Sequence, residues 1–492
     1  MDLIIVGCQA GDEGKGKFTD IACEGADAVV RYQAGPNTGH TVVADGRDHR
    51  FVQVPAGVLR GITGVLGNGC VIDPLALLTE LGELRAAGFD PSLRISESAH
   101  VIFPYHVEQD AAEEEWRGSE VATSAANGFV HGTGRLGTTN RGVGPCREDK
   151  SARIGLRMVD LLDEHLLHTR LSRLVPLKRA LLQQVFGRPA DRRPVADEVA
   201  HLVKEYNAAG RELEPYLCDV SRWLRQARSE GRRLVYEGAQ SFGLDLEHGT
   251  YPYVTSGYSA AGGVTVGTGT SPAQEFGVLG VIKSYMVQVG GGPLVGELDG
   301  ATADHLVTRG REWGTVTGRR RRVGWFDVPM VRRAIETDGI RELCLTNIDV
   351  LAGLDEIEVI TGYRSGAQDL DRYPAKRADA AAVTPVLRRT AGWPDQDWSA
   401  VARRGAAGLP DAARRYVDLL SSLLDAEIVA VSVGPEREDT IHLSTTSLLS
   451  RTPAQAPDGA VRDHDVRDHG VRDHGVRDHR DGRRPEGDHV HG

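Results

Sequence analysis

Gly11-Asp12-Glu13-Gly14-Lys15-Gly16-Lys17, following the apolar run Leu3-Ile4-Ile5-Val6, is the stretch whose reading decides the fold. An apolar strand, a glycine-rich turn and then a helix cradle phosphates, because small residues let backbone N–H groups point at the anion. The spacing is that of a P-loop as far as Lys17, but the next residue is Phe18, where that motif carries the Ser or Thr hydroxyl that meets magnesium. The loop also carries Asp12. A carboxylate beside bound phosphates is repelled unless it holds a metal ion or moves a proton, so the loop reads as catalytic as well as binding. The chain has seven lysines, and two of them stand two residues apart in this turn. The alternative is a plain glycine-rich turn with two solvated lysines.

Short apolar runs recur along the chain: 3–6, 28–32, 65–66 with 71–72, 234–236, 278–282, 343–345 and 428–433. Continuous rather than alternating strands imply burial on both faces, hence an α/β fold with a large, mainly parallel central sheet flanked by helices. Residues 159–230 are rich in Leu, Arg, Glu and Ala and read as a helical layer. Residues 362–400 lack a clear period and read as hairpin or loop structure. The expected division is one catalytic domain over 1–448 and a tail over 449–492. In the tail, Val461-Arg462-Asp463-His464 opens a five-residue unit that returns at Val466, Val471 and Val476. That period suits neither a helix face nor a strand, so the His-rich tail is expected to be disordered, with weak metal chelation as its alternative use.

The 492 residues, 40% hydrophobic, are enough for a large core. A formal charge of -11 argues against general nucleic-acid binding, because there is no basic surplus to displace counterions from a polyanion. The six cysteines are scattered without metal-ligand spacing, which reads as reduced thiols. No leader pattern and no apolar stretch of membrane-spanning length is visible, so the expectation is a cytoplasmic protein with no membrane partner.

Further blocks carry chemistry. Arg31 to Thr41 follows the second apolar run and, on a parallel sheet, emerges at the same carboxyl edge as the first loop, so that Asp12 and His40 face one substrate. Gly137 to Pro145 offers hydroxyls, open backbone and an arginine, which suits phosphate. Arg319 to Arg322 is a run of guanidinium forks in an acidic chain, able to clamp carboxylates and phosphates. Asp349, at the end of a late apolar run, has two oxygens for the adjacent N1 and N2 protons of guanine, a donor pair that adenine lacks.

Together and in this order, these blocks resemble the adenylosuccinate synthetase family over roughly residues 1–445: Gln9 to Lys17, Arg31 to Thr41, Gly137 to Pro145, Glu237 to Gln240, His248 to Ser256, Thr317 to Trp325 and Ser432 to Pro435. The resemblance implies a P-loop-like GTP-binding fold and a GTP-dependent ligase that forms adenylosuccinate from IMP and L-aspartate through 6-phosphoryl-IMP. It implies Asp12 as base and His40 as acid, with Lys15 and Gln240 also catalytic and magnesium held by Asp12 and the Gly39 carbonyl. Gly11, Glu13, Gly14, Gly16, Lys17, Gly39, Thr41, Arg321, Asn347, Asp349, Ser432 and Gly434 are implied to bind GTP. Asn37, Thr139, Thr255 and Arg153 are implied for IMP, the last acting across a homodimer, and Thr317 and Arg319 for aspartate.

The chain departs from the family pattern at several positions. Asn347 stands where Lys is usual, Val316 where Thr is common, Asn140 at a usual Gly, and Arg147 where an aromatic residue is common. These departures leave two alternatives: a paralogue using the same chemistry on another purine nucleotide or amine donor, and a non-catalytic purine nucleotide-binding regulator.

Overall fold

The structure, a computed structural model, describes residues 1–44, 47–124, 134–189, 193–288, 290–314, 318, 320–374 and 383–450; for 40–44, 47–48, 50 and 119–124 it describes the backbone alone. The tail repeat, Val316, Thr317 and Arg319 lie outside the described residues. The chain through Thr452 clusters as one compact unit.

Its centre is an eleven-stranded sheet. From one edge the main path runs Thr440–His442, Glu427–Ser432, Glu342–Thr346, Phe276–Lys283, Asp2–Gly7, Leu234–Glu237, Ala28–Ala34, Thr63–Ile72, Leu93–Ser96 and Leu217–Cys218, with His100–Val101 also pairing to Thr63–Ile72. Every pairing on the path is parallel except that of the Thr440–His442 edge strand. The expected mainly parallel sheet is therefore observed.

The reason these strands lack an alternating polar face is visible in the core. Ile4, Val6, Val30, Tyr236 and Leu345 point into one apolar cluster, while their strand neighbours Leu3, Ile5, Val29, Val235 and Cys344 point into another. Both faces are covered, so both sets of side chains must be apolar. Helices Pro74–Ala86, Glu164–Ala180 and Val195–Leu213 supply leucines to the second cluster. Helices Val220–Ser229, Val328–Asp338 and Asp411–Leu424 supply the first. The helices between 159 and 230 thus divide between the two faces.

One buried charge pair crosses the sheet. The guanidinium of Arg31 is 2.9 Å from Glu237 on the neighbouring strand and donates to the Val52 carbonyl at 2.9 Å. Outside the sheet, His40–Ala44 and Arg47–Phe51 form a hairpin. The strands Glu356–Ser365, Gln368–Leu370 and Val383–Ala391 pair antiparallel in a small second sheet, so the described part of 362–400 is in part hairpin strand, with helix Trp398–Arg403 starting at its end.

Candidate active site

The first strand ends at Gly7, and the loop that follows is shaped by a carboxylate turned inward. Glu13 is fully buried; its Oε1 accepts from the backbone amides of Gln9 at 3.2 Å and Gly11 at 3.0 Å. Its Oε2 accepts from Lys15 Nζ at 2.8 Å and Ser241 Oγ at 2.6 Å. Burial opposes ionisation of Glu13, but the charge and hydrogen bond of Lys15 and the Ser241 hydroxyl outweigh it and hold the carboxyl below its ordinary range. The Glu13 side chain is therefore a brace for the loop, and only its backbone remains to meet a phosphate. The Glu13 carbonyl is itself held by Thr346 Oγ1 at 2.8 Å.

Helix Lys15–Ala22 begins at Gly14, whose φ of 84° is left-handed and which contributes no side-chain cap. The first-turn amides keep their hydrogen-bonding capacity and point toward any anion above the loop. Phe18, at the position of the missing P-loop hydroxyl, is fully buried in the same cluster as Ile5 and Val29. Burying such a side chain stabilises by roughly 1.5–3 kcal/mol, so the position serves to seat the helix on the sheet.

Above the loop, Asp12 faces an arginine. Arg321 Nε lies 2.9 Å from Asp12 Oδ2, while Arg321 Nη1 is 3.0 Å from Glu312 Oε2. Glu312 is completely buried and also accepts from Lys283 Nζ and Tyr285 Oη, each at 2.6 Å. Burial pushes the Glu312 carboxyl toward neutrality, but Lys283 first and then Tyr285 and Arg321 keep it low. The chain Lys283–Glu312–Arg321–Asp12 thus holds Arg321 on the loop carboxylate.

On one side of the loop, Lys17 Nζ donates to Ser432 Oγ at 2.8 Å and to the Gly434 carbonyl at 2.9 Å. Burial lowers its pKa to about 8 against the opposing pull of Asp439, Asp349, Glu438 and Glu436. Burial likewise raises Asp349 to about 6, with Arg309 and Lys17 pulling the other way. Asn347 lies between the Glu342–Thr346 strand and this carboxylate, in a left-handed conformation with φ 60°.

On the other side, Gln33 Nε2 donates to Gln240 Oε1 at 3.0 Å, Gln240 Nε2 donates to Thr38 Oγ1 at 2.8 Å, and Thr38 Oγ1 donates to Asn37 Oδ1 at 3.3 Å. Thr255 is held by its backbone amide on the Leu244 carbonyl at 2.7 Å. Thr139 is half-buried, and Arg153 is exposed at the end of helix Val143–Ser151 with a φ of 64°. The backbone places Gly39 and His40 where the Ala28–Ala34 strand turns into the hairpin, with His40 and Thr41 on its first strand.

Seven non-glycine residues among those described have positive φ, and Asp12, Arg153, Gln240 and Asn347 are four of them. Such backbone costs of order 1–3 kcal/mol each and persists where surrounding structure enforces it, as at binding and catalytic loops. Other members of the site were not singled out by the sequence. Ser241 directly follows the Glu237 to Gln240 block, a signal that was present. Glu312 and Thr346 carried none, because their roles depend on contacts with Arg321 and Glu13 that spacing does not reveal.

A phosphate-cradling loop with an arginine-paired carboxylate, set at the carboxyl edge of a doubly covered parallel sheet, defines a nucleotide-dependent phosphoryl-transfer enzyme of the α/β class. The comparisons make the class narrower. The family model "Adenylosuccinate synthetase" matches residues 4–441. The adenylosuccinate synthetase of Natronomonas pharaonis is 42% identical over 462 residues, covering 90% of this chain and 99% of that protein. That of Haloarcula marismortui is 40% identical over 464 residues, with 90% and 99% covered. The structure of fully ligated adenylosuccinate synthetase from Plasmodium falciparum superposes with a TM-score of 0.79 at 30% identity, covering 90% of this chain and all of that one. The chain belongs to the adenylosuccinate synthetase family, GTP-dependent ligases that form adenylosuccinate from IMP and aspartate.

Proposed function

We propose that this chain carries out the family reaction with the loop of Asp12 standing between two purine nucleotides. The observation that carries this reading is the sheet order. The strand feeding the loop, Asp2–Gly7, has Phe276–Lys283, Glu342–Thr346 and Glu427–Ser432 to one side and Leu234–Glu237 and Ala28–Ala34 to the other. Parallel pairing sends the Asp349 and Ser432 cluster and the Gln240 and Asn37 cluster to the same edge, on opposite flanks of the loop.

In this reading GTP takes the Asp349 flank. The Asp349 carboxylate accepts the two guanine N–H donors, assisted by Ser432 and Gly434 beside Asn347, and Lys17 and the amides of Gly11 to Gly16 meet the phosphates. Arg321 and Thr41 also face GTP. IMP takes the other flank, met by Asn37, Thr139 and Thr255 and by Arg153 of a second subunit in a homodimer. Arg153 has no ion-pair partner among the described residues, which supports a role outside its own subunit. Thr317 and Arg319, which bind aspartate in this reading, lie outside the described residues.

Asp12 removes the N1 proton of IMP, and the 6-oxygen attacks the γ-phosphorus of GTP, forming the O–P bond as GDP leaves. His40 donates a hydrogen bond to the 6-oxygen, while Lys15 and Gln240 stabilise the groups around it. The amine of aspartate then adds at C6 and expels phosphate, a leaving group far better than the original carbonyl oxygen. Two hard oxygens, the Asp12 carboxylate and the Gly39 carbonyl, suit Mg2+, which binds through few protein ligands and takes the rest from phosphate and water. Asp12, whose Oδ2 is engaged by Arg321 Nε, and Gly39 would be the residues that hold the ion. When bound it screens phosphate charge.

Among the described residues no helix is long and apolar enough to cross a membrane, and the cysteines are free thiols, which supports the cytoplasm as the compartment. The test of the mechanism is positional isotope exchange: GTP labelled at the β,γ-bridging oxygen scrambles its label with IMP present and aspartate absent. Label that moves only when aspartate is added contradicts a separate phosphorylation step.

A further inference from the structure

Arg147 is half-buried, and among the described residues no carboxylate forms an ion pair with it. Its Nη2 donates to the side-chain Oε1 of Gln33 at 3.3 Å and to the Gly69 carbonyl at 3.0 Å. Its Nε is buried without a partner. Drawing a guanidinium partly out of water without a carboxylate partner is costly, so its presence behind the nucleotide flank calls for a role.

We propose that Arg147 is a positioning residue that sets the direction of a hydrogen-bond chain ending at Asn37. An amide side chain has a donor end and an acceptor end of nearly the same shape, and its environment must choose between them. For Gln33 the choice is forced twice. Arg147, which only donates, faces Oε1, and the Ala239 carbonyl, which only accepts, lies 2.7 Å from Nε2. Gln33 Nε2 then requires Gln240 to present its oxygen, which aims the Gln240 NH2 at Thr38 Oγ1. With its oxygen occupied by that donor, the Thr38 hydroxyl gives its own proton to Asn37 Oδ1. Asn37 is left with its NH2, which has no protein partner among the described residues, and this donor meets the phosphate of the nucleotide. Reversing the first link turns each amide and presents an oxygen to an anion. Gly257 makes room for the link: a Cβ there would stand 2.6 Å from Gln33 Oε1 and 2.9 Å from the Arg147 guanidinium carbon.

The inference rests on the proposed placement of the IMP phosphate at Asn37, and the experiment separates the two. Steady-state kinetics on the full-length enzyme compare Arg147→Met, Gln33→Leu, Gly257→Ala and Asn37→Ala. Arg147→Met is expected to raise the KM for IMP on the order of tenfold, as for a lost charge-assisted hydrogen bond, while the KM for GTP stays within about twofold. Gln33→Leu reproduces that rise, and the double variant Arg147→Met/Gln33→Leu is no worse than either single one, as members of one chain require. Gly257→Ala, which keeps the charge and displaces the contact, shifts the same constant and covers the case in which Arg147→Met does not fold. If Asn37→Ala leaves the KM for IMP unchanged, the placement of the phosphate is wrong. If Asn37→Ala raises it but Arg147→Met and Gly257→Ala do not, the relay is wrong. A uniform loss across all three substrates, or additive single effects, assigns Arg147 to packing and overturns the proposal.

Discussion

Arg321 Nε sits 2.9 Å from Asp12 Oδ2, and the same guanidinium is anchored from behind by the buried Glu312. This places a cation on the carboxylate assigned to take the IMP proton and fixes the direction in which it points. Asp12 is not needed to hold the loop itself, because Glu13 does so from below. Asp12→Asn is therefore expected to fold normally, to bind GTP within a few-fold of the parent, and to lose on the order of 10²–10⁴ in kcat, the usual worth of a general base. Circular dichroism, GTP titration and kcat measure the three parts. Substantial retained turnover would remove Asp12 from the role of base.

Gly14 tests the phosphate cradle. Its φ of 84° disfavours any Cβ, and an added Cβ would lie 3.2 Å from Thr346 Cγ2, on the strand that also holds the Glu13 carbonyl. Gly14→Ala should cost about 1–2 kcal/mol of backbone strain at the N-terminus of the helix. The expected signature is a raised KM for GTP with the KM for IMP little changed. Equal changes in both would mean that the helix start does not belong to the GTP flank.

Some of this was legible in the sequence. Continuous apolar runs such as 3–6 and 343–345 announced a sheet buried on both faces, and glycine spacing announced the loop. The sequence did not show that the strand of Asp2–Gly7 lies between those of Phe276–Lys283 and Leu234–Glu237, because parallel strands carry no register signal in their own residues. Phe18 read only as a missing hydroxyl; its role in seating the helix became visible with the core around it. Arg147 read as an isolated departure from a pattern, and its bond to Gln33, 114 residues away, is a property of packing alone.

Recognition of guanine should depend on pH. Burial raises Asp349 to about 6, and only the ionised carboxylate accepts two N–H donors. As pH falls through about 6, the group takes up a proton in the free enzyme and kcat/KM for GTP should decline about tenfold per unit below it. ATP does not offer the paired donors, so the preference for GTP over ATP should shrink over the same range. A preference that holds constant from pH 7 to about 5 contradicts the assignment of Asp349.

Removal of the chain after Gln455 should leave kcat and all three KM values unchanged, since the five-residue repeat offers one apolar residue per unit and includes no residue assigned to the site. Loss of activity in that truncation would give the repeat a part in catalysis or assembly.

The most direct test of the account is to follow phosphate release and adenylosuccinate formation together, with GTP, IMP and L-aspartate, omitting each in turn. The account predicts one phosphate per adenylosuccinate, with sustained turnover requiring all three. Tight GTP binding without phosphate release in the complete mixture, or phosphate release without adenylosuccinate, would contradict it.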